Sequence, residues 1–248
     1  MKILAIGDPH GKLPNNLDKI VKRNNPDLII CVGDHGDTPK NPFLEKEWEK
    51  FRKQKRSIKR STKEIFKKIS SYKIPVLTLQ GNMMRTTGMP VMRNLYSKYK
   101  NVYHKRIGKI KLLGQIFVLF DFFHEKHNIR GHKFTRKRFI SNKKRELRLN
   151  KLLKENPDSF LISHSPPFGK VDEVRNQFTN FKKKHVGSKI LTDAIKKYPV
   201  KYVFCGHIHE ARGKARIGKT IVYNLGSHGD YIVIDTDKSK ILESNFFK

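Results

Sequence analysis

At 248 residues the chain can bury a substantial core, and a single domain over 1–248 is the simplest organisation. Its 54 lysines and arginines against 22 acids leave a formal charge of +32, which suits a polyanion partner such as nucleic acid or, equally, a lysine-biased proteome. No apolar run nears the roughly 20 residues of a membrane span, two cysteines exclude a disulfide framework, and no basic-then-apolar leader opens the chain, so a cytoplasmic protein with no membrane partner is expected.

In chain order, the run Ile3–Gly7 ends at Asp8, with Pro9 and His10 next. Leu17, Ile20 and Val21 then repeat at helical spacing before the run Leu28–Gly33, which ends at Asp34. Strand, helix, strand predicts a parallel pair with a right-handed crossover. Residues 43–71 read as one long helix with Phe51, Ile58, Ile65 and Ile69 on a stripe and Lys55 and Thr62 filling the gaps. From Lys50 to Lys63 this helix carries eight basic residues and no acid. A solvated outer face is the simpler explanation; a phosphate-contact surface that includes Lys53, Arg56 and Arg60 is the sharper one.

The run Val76–Gly81 ends at Asn82. Val102-Tyr103, Ile110–Leu113 and Ile116–Phe120, punctuated by Gly108 and Gly114, predict antiparallel strands over 101–120. Residues 121–140 show no clean period; they hold His124, His127 and His132, taken as surface histidines, and the basic run Arg136-Lys137-Arg138, with Arg136 and Arg138 as further phosphate-contact candidates. A loop of that length is often functional. A basic helix follows over 141–155, and another runs from about Ser188, its cap, to Tyr198 with Leu191, Ala194 and Ile195 inward. Between and after them, Phe160–Ser163 ends at His164, Tyr202–Gly206 at His207 with His209 two further on, and Ile221–Tyr223 at Asn224.

Six short apolar runs thus end at residues able to bind a metal or orient a ligand. Continuous apolar runs suit buried strands, and ligands of open α/β sheets collect at strand carboxyl ends. Two mixed sheets packed together, with helices on the outer faces, fit the pattern. Taken singly, an Asp after a strand is usually a cap or turn former, and a lone His a core or surface residue. Gly7, Gly33, Gly81 and Gly206 each precede a candidate ligand, where tight turns and close backbone approach are useful.

Asp8-Pro-His10-Gly11, Gly33-Asp34-His-Gly-Asp37, Gly81-Asn82, Ser163-His164-Ser-Pro-Pro and Gly206-His207-Ile-His209, in that order, resemble the calcineurin-like metallophosphoesterase superfamily. With His185-Val-Gly-Ser188 and the stretch to Gly213, the likeness narrows to its Icc-related branch of phosphoesterases. The resemblance implies an α/β fold, a four-layer αββα sandwich of two mixed β-sheets flanked by helices. It implies two divalent transition-metal ions (Mn, Fe, Ni, Co or Zn): Asp8, His10 and His209 on the first, Asp34 bridging, and Asn82, His164 and His207 on the second. Nitrogen and oxygen donors with no thiolate suit those metals. It further implies a metal-bridging hydroxide as nucleophile and a phosphoester substrate, more a diester than a monoester. Asp37 and Asn224 would stand behind the ligands as orienting groups.

One departure stands out. Many members follow the ligand Asn with a His that aids leaving-group protonation; here that position is Met83, which cannot donate a proton. The alternative is therefore a catalytically weak or inactive metal-binding scaffold or nucleic-acid-binding module. His228 is a substitute donor or, more simply, a loop histidine; His35 faces either cleft or solvent. Oligomeric state is left open by the sequence.

Overall fold

Apolar runs without polar alternation suit strands covered on both faces, and each of the six in this chain forms one. The structure, a computed structural model, describes residues 1–38, 55–82, 95–121, 125–128, 135–175 and 184–247. They fall into two compact units, one of Met1–His104 with Leu225–Lys248 and one of Lys105–Asn224. Each is built on its own mixed six-stranded sheet with helices packed against it.

In the first unit, β1 (Lys2–Ile6), β2 (Leu28–Cys31), β3 (Val76–Thr78) and β4 (Val102–His104) run parallel in that order. Two antiparallel strands, β11 (Tyr231–Asp235) against β1 and β12 (Lys240–Ser244) outside it, complete the sheet. Helix α1 (Leu17–Asn24) makes the expected crossover between β1 and β2, and α2 (Lys55–Ser71) precedes β3. Leu17 and Ile20 of α1 and Ile58, Ile65, Phe66 and Ile69 of α2 are buried in a core with Leu4, Ile6, Ile29 and Val76. The stripe that predicted the second helix is therefore its buried face; its part before residue 55, with Phe51, lies outside the described residues.

In the second unit, β6 (Gln115–Phe120), β7 (Phe160–Ser163), β8 (Tyr202–Cys205) and β10 (Thr220–Asn224) run parallel. Hairpin partners β5 (Ile107–Leu112) and β9 (Gly213–Ile217) close the two edges. Leu113 and Gly114 link β5 to β6 with φ of 52° and 73°, the doubly left-handed turn that matches the twist of a hairpin. Helices α3 (Arg136–Glu155) and α4 (Lys189–Lys197) bring Leu149, Leu153, Leu191, Ala194 and Ile195 against Val118, Leu161, Val203 and Val222. Ser188 caps α4 as expected, accepting a hydrogen bond from Leu191 N at 3.0 Å.

Two elements differ from expectation. Val102-Tyr103 belongs to β4, parallel to β3 in the first sheet, and not to an antiparallel set with β5 and β6; a three-residue strand carries no register of its own, and the neighbouring edge decides its partner. Helix α3 begins at Arg136, five positions before the predicted 141, because Thr135 supplies the cap by accepting from Arg138 N. Both cysteines are buried and neither forms a disulfide; burial pushes the Cys31 thiol up to about 12, so it behaves as a small hydrophobe. Among the described residues no helix is long and apolar enough to cross a membrane.

Ile69, fully buried where α2 meets the sheet, tests this packing. Ile69→Ala is expected to cost about 2–5 kcal/mol in denaturant unfolding; a loss well under 1 kcal/mol would show that the helix does not carry the first core.

Candidate metal centre

Because β1 and β2 are adjacent and parallel, their carboxyl ends leave the first sheet side by side, and Asp8 and Asp34 follow them. Asp8 bridges to Ser227 and donates its N–H to Gly226 O at 3.0 Å; its own carbonyl accepts from His228 N at 3.0 Å. Asp34 N–H donates to Gln80 O at 3.3 Å and Asp34 O accepts from His10 N at 2.9 Å, so the turns after β1, β2 and β3 are stitched together. A carboxylate oxygen of Asp8 lies within 4.8 Å of an Asp34 oxygen and within 4.8 Å of a His10 ring nitrogen. Asp8, His10 and Asp34 are 0%, 7% and 2% exposed. Half-buried Asn82 follows in the turn after β3.

The backbone there is unusual. His10 (φ 44°), Asp34 (φ 42°) and His207 (φ 69°) are left-handed, a region that costs non-glycine residues of order 1–3 kcal/mol and that clusters at functional sites. Gly81, at φ 80°, sits against Asp34: an added Cβ would overlap the Asp34 carboxylate and lie 2.6 Å from its backbone nitrogen. Gly7 makes the other close approach, since a Cβ there would come within 2.5 Å of Leu225 O and Gly226 O.

In the second unit His164 follows β7, fully buried, and its carbonyl accepts from Gly206 N at 3.0 Å. That bond sets the turn after β7 beside the turn after β8, and the His164 and His207 rings lie 5.1 Å apart between centroids. His209, half-buried, opens a short 3-10 turn (His209–Ala211). Asn224, fully buried at the end of β10, donates both amide hydrogens: to Ile208 O and to Val171 O, each at 2.9 Å. It therefore grips the carbonyl of Ile208, the one residue between the two candidate histidines.

Other candidates lie as follows. Asp37 accepts from Ser57 Oγ at 2.9 Å, and its N–H donates to Ser61 Oγ at 3.0 Å, which ties the loop after β2 to α2. His35 faces neither cleft nor solvent. It is fully buried, its Nε2 is 2.8 Å from Thr78 Oγ1 and its ring packs 4.6 Å from Phe66; the alternation after β2 turns it into the core of the first unit. His228 is exposed, with its ring 5.2 Å from that of His10 and its Nδ1 2.8 Å from Ser227 Oγ. Arg60 pairs with Glu64 on the solvent face of α2 at 2.9 Å, Arg136 is exposed and Arg138 half-buried in the first turn of α3. The side chain of Arg56, together with Lys53, Met83, His124 and His132, lies outside the described residues. Sequence reasoning missed one group altogether: Asp172, fully buried, which holds His185. No apolar run ends at it, so nothing in the pattern singled it out.

The donor set fits a divalent cation. Two carboxylates buried within 4.8 Å of each other are costly unless a proton or a cation is shared between them, and an imidazole stands at the same place. The second unit offers a pair of imidazoles, His164 and His207, on the turns after β7 and β8. Oxygen and nitrogen donors without thiolate suit manganese, iron or zinc better than a structural sulfur site.

Comparison with known proteins agrees in fold and sequence. One solved crystal structure superposes with a TM-score of 0.66 at 21% identity, covering 100% of this chain and 99% of the other. TT1561 of Thermus thermophilus superposes with a TM-score of 0.61 at 16% identity over 98% of this chain and 97% of its own. Uncharacterized protein MJ1162 of Methanocaldococcus jannaschii is 34% identical over 101 residues, 40% of this chain; the match spans 44% of that protein's length. The sequence profile of the calcineurin-like phosphoesterases matches residues 1–211, a span that contains Asp8, His10, Asp34, Asn82, His164, His207 and His209. The chain belongs to the calcineurin-like phosphoesterase family.

Proposed function

We propose that the chain is a binuclear metal-dependent phosphodiesterase of the cytoplasm, with Asp8, His10 and His209 holding one divalent cation, Asn82, His164 and His207 the other, and Asp34 shared. The observation that carries this reading is the pair of buried carboxylates, Asp8 and Asp34, brought within 4.8 Å beside His10 by left-handed turns after adjacent strands. Manganese is the first metal to try, since the set mixes carboxylate, amide and imidazole donors. When bound, such ions supply Lewis-acid activation of a phosphoryl group and of an attacking water. The chain's own residues do the rest. Gly81 lets the turn after β3 close on Asp34, and Asn224 fixes the Ile208 carbonyl between His207 and His209, which orients the turn that carries both rings.

Preference for a diester follows from Met83. A thioether offers no proton, whereas monoester hydrolysis in relatives leans on the histidine that stands there. Nucleotides or nucleic acid are the favoured substrate class, because the sequence carries a formal charge of +32 and helices α2 and α3 are basic. Such a substrate would bind with an affinity that falls steeply between low and physiological salt; an affinity flat over that range would remove nucleic acid from the reading.

Loaded with Mn²⁺, the purified protein is expected to hydrolyse an activated phosphodiester, with Asp34→Asn and chelator-treated protein silent. Metal uptake without turnover above the Asp34→Asn control would favour a metal-binding scaffold instead. Met83→His is expected to raise monoesterase activity more than diesterase activity, by up to about 10²-fold if general-acid help is restored. Equal gains, or none, would show that position 83 does not set the preference.

A further inference from the structure

We propose that His185, held by Asp172, is the catalytic acid that protonates the leaving oxygen, a role that the thioether of Met83 cannot fill. The inference rests on the hydrolase reading above. Asp172 is fully buried and accepts three hydrogen bonds: from Gly169 N at 3.0 Å, from Gly187 N at 2.9 Å and from His185 Nδ1 at 2.6 Å. Its carboxylate therefore fixes both the tautomer and the tilt of the ring, with the proton on Nδ1. The His185 side chain is 47% exposed, and its Nε2 makes no hydrogen bond among the described residues. A buried carboxylate that orients a half-exposed imidazole is the arrangement by which enzymes present one ring nitrogen to a substrate.

The segment that carries His185 is bound to both ligand-bearing turns of its unit. On one side, Ser188 bridges to Pro167, Ser188 N donates to Pro166 O at 2.8 Å, and Phe168 N donates to Ser188 O at 3.1 Å. Phe168, four residues after His164, packs its ring 5.9 Å from that of His185. On the other side, Val186 and Val174 are buried with Ile208 and Ala211, so the segments joined at the Glu173–His185 bridge pack on the turn of His207 and His209. The segment is thus anchored to the turns that carry His164, His207 and His209, and the proposal has the leaving oxygen come within reach of its Nε2. In the step, water oxygen bonds to phosphorus and the bond from phosphorus to the leaving oxygen breaks. The electron pair of that bond goes to the leaving oxygen, which takes the Nε2 proton of the His185 imidazolium. The neutral ring keeps its Nδ1 proton on Asp172 and regains the other from solvent, and the proton released by the attacking water passes to bulk.

Leaving-group dependence tests the role. With Mn²⁺-loaded protein, His185→Gln is expected to slow a diester with an alkyl leaving group by about 10²–10⁴-fold and one with a nitrophenolate leaving group far less, because a good leaving group needs no proton. Asp172→Asn, which keeps the contacts to the two glycine N–H groups, is expected to move the same ratio in the same direction. Melting temperature and metal content, measured on both variants, report any structural loss. Equal loss on both substrates, or no loss on either, overturns the role of His185 while the hydrolase reading stands. A wild-type protein that cleaves neither substrate overturns both.

Discussion

Two carboxylates buried at the ends of adjacent parallel strands are the constraint around which the first unit is arranged. Asp8 and Asp34 follow β1 and β2, their oxygens within 4.8 Å of one another, in surroundings that penalise charge. A fold that only needed stability would place apolar residues there. This one instead spends backbone strain on the arrangement: His10 and Asp34 are left-handed, and the turn after β3 is pressed so near that only glycine fits at position 81. Strain of this kind persists where the surroundings over-determine it, and here a sheet of six strands, with a core from Leu4 to Val233, does so.

The second unit uses the same means. Its candidate donors are imidazoles, and what they need from the fold is orientation. The Gly206 N–H to His164 carbonyl bond and the grip of Asn224 on Ile208 supply it. Asp172 and His185 extend the pattern outward: a buried acid positions an imidazole on a segment that rests, through Val186, on Ile208. Under the proposal above, this dyad supplies the proton that the thioether of Met83 cannot.

Much of this was legible in the sequence, for a physical reason. Buried parallel strands are continuous apolar runs, and Ile3–Gly7, Leu28–Gly33, Phe160–Ser163 and Tyr202–Gly206 could be read without ambiguity. Since ligands of such sheets collect where the strands end, the candidates Asp8, Asp34, His164 and His207 came with them. The rest depends on tertiary contacts that leave no local mark. β4 is three residues long and takes its partner from the open edge of β3. His35 was misplaced because a turn residue next to a ligand can point either way, and the contacts with Thr78 and Phe66 decide it. Asp172 lies in a loop with no period, and its partners at positions 169, 185 and 187 are set by how that loop folds back.

The central claim is that these donors take up a pair of divalent cations. Calorimetric titration of metal-free protein with Mn²⁺ tests it most directly. A shared, carboxylate-bridged pair requires two ions bound per chain, with the stoichiometry or affinity reduced when Asp34 is changed to Asn. Binding that is absent, or indifferent to Asp34→Asn, would contradict it.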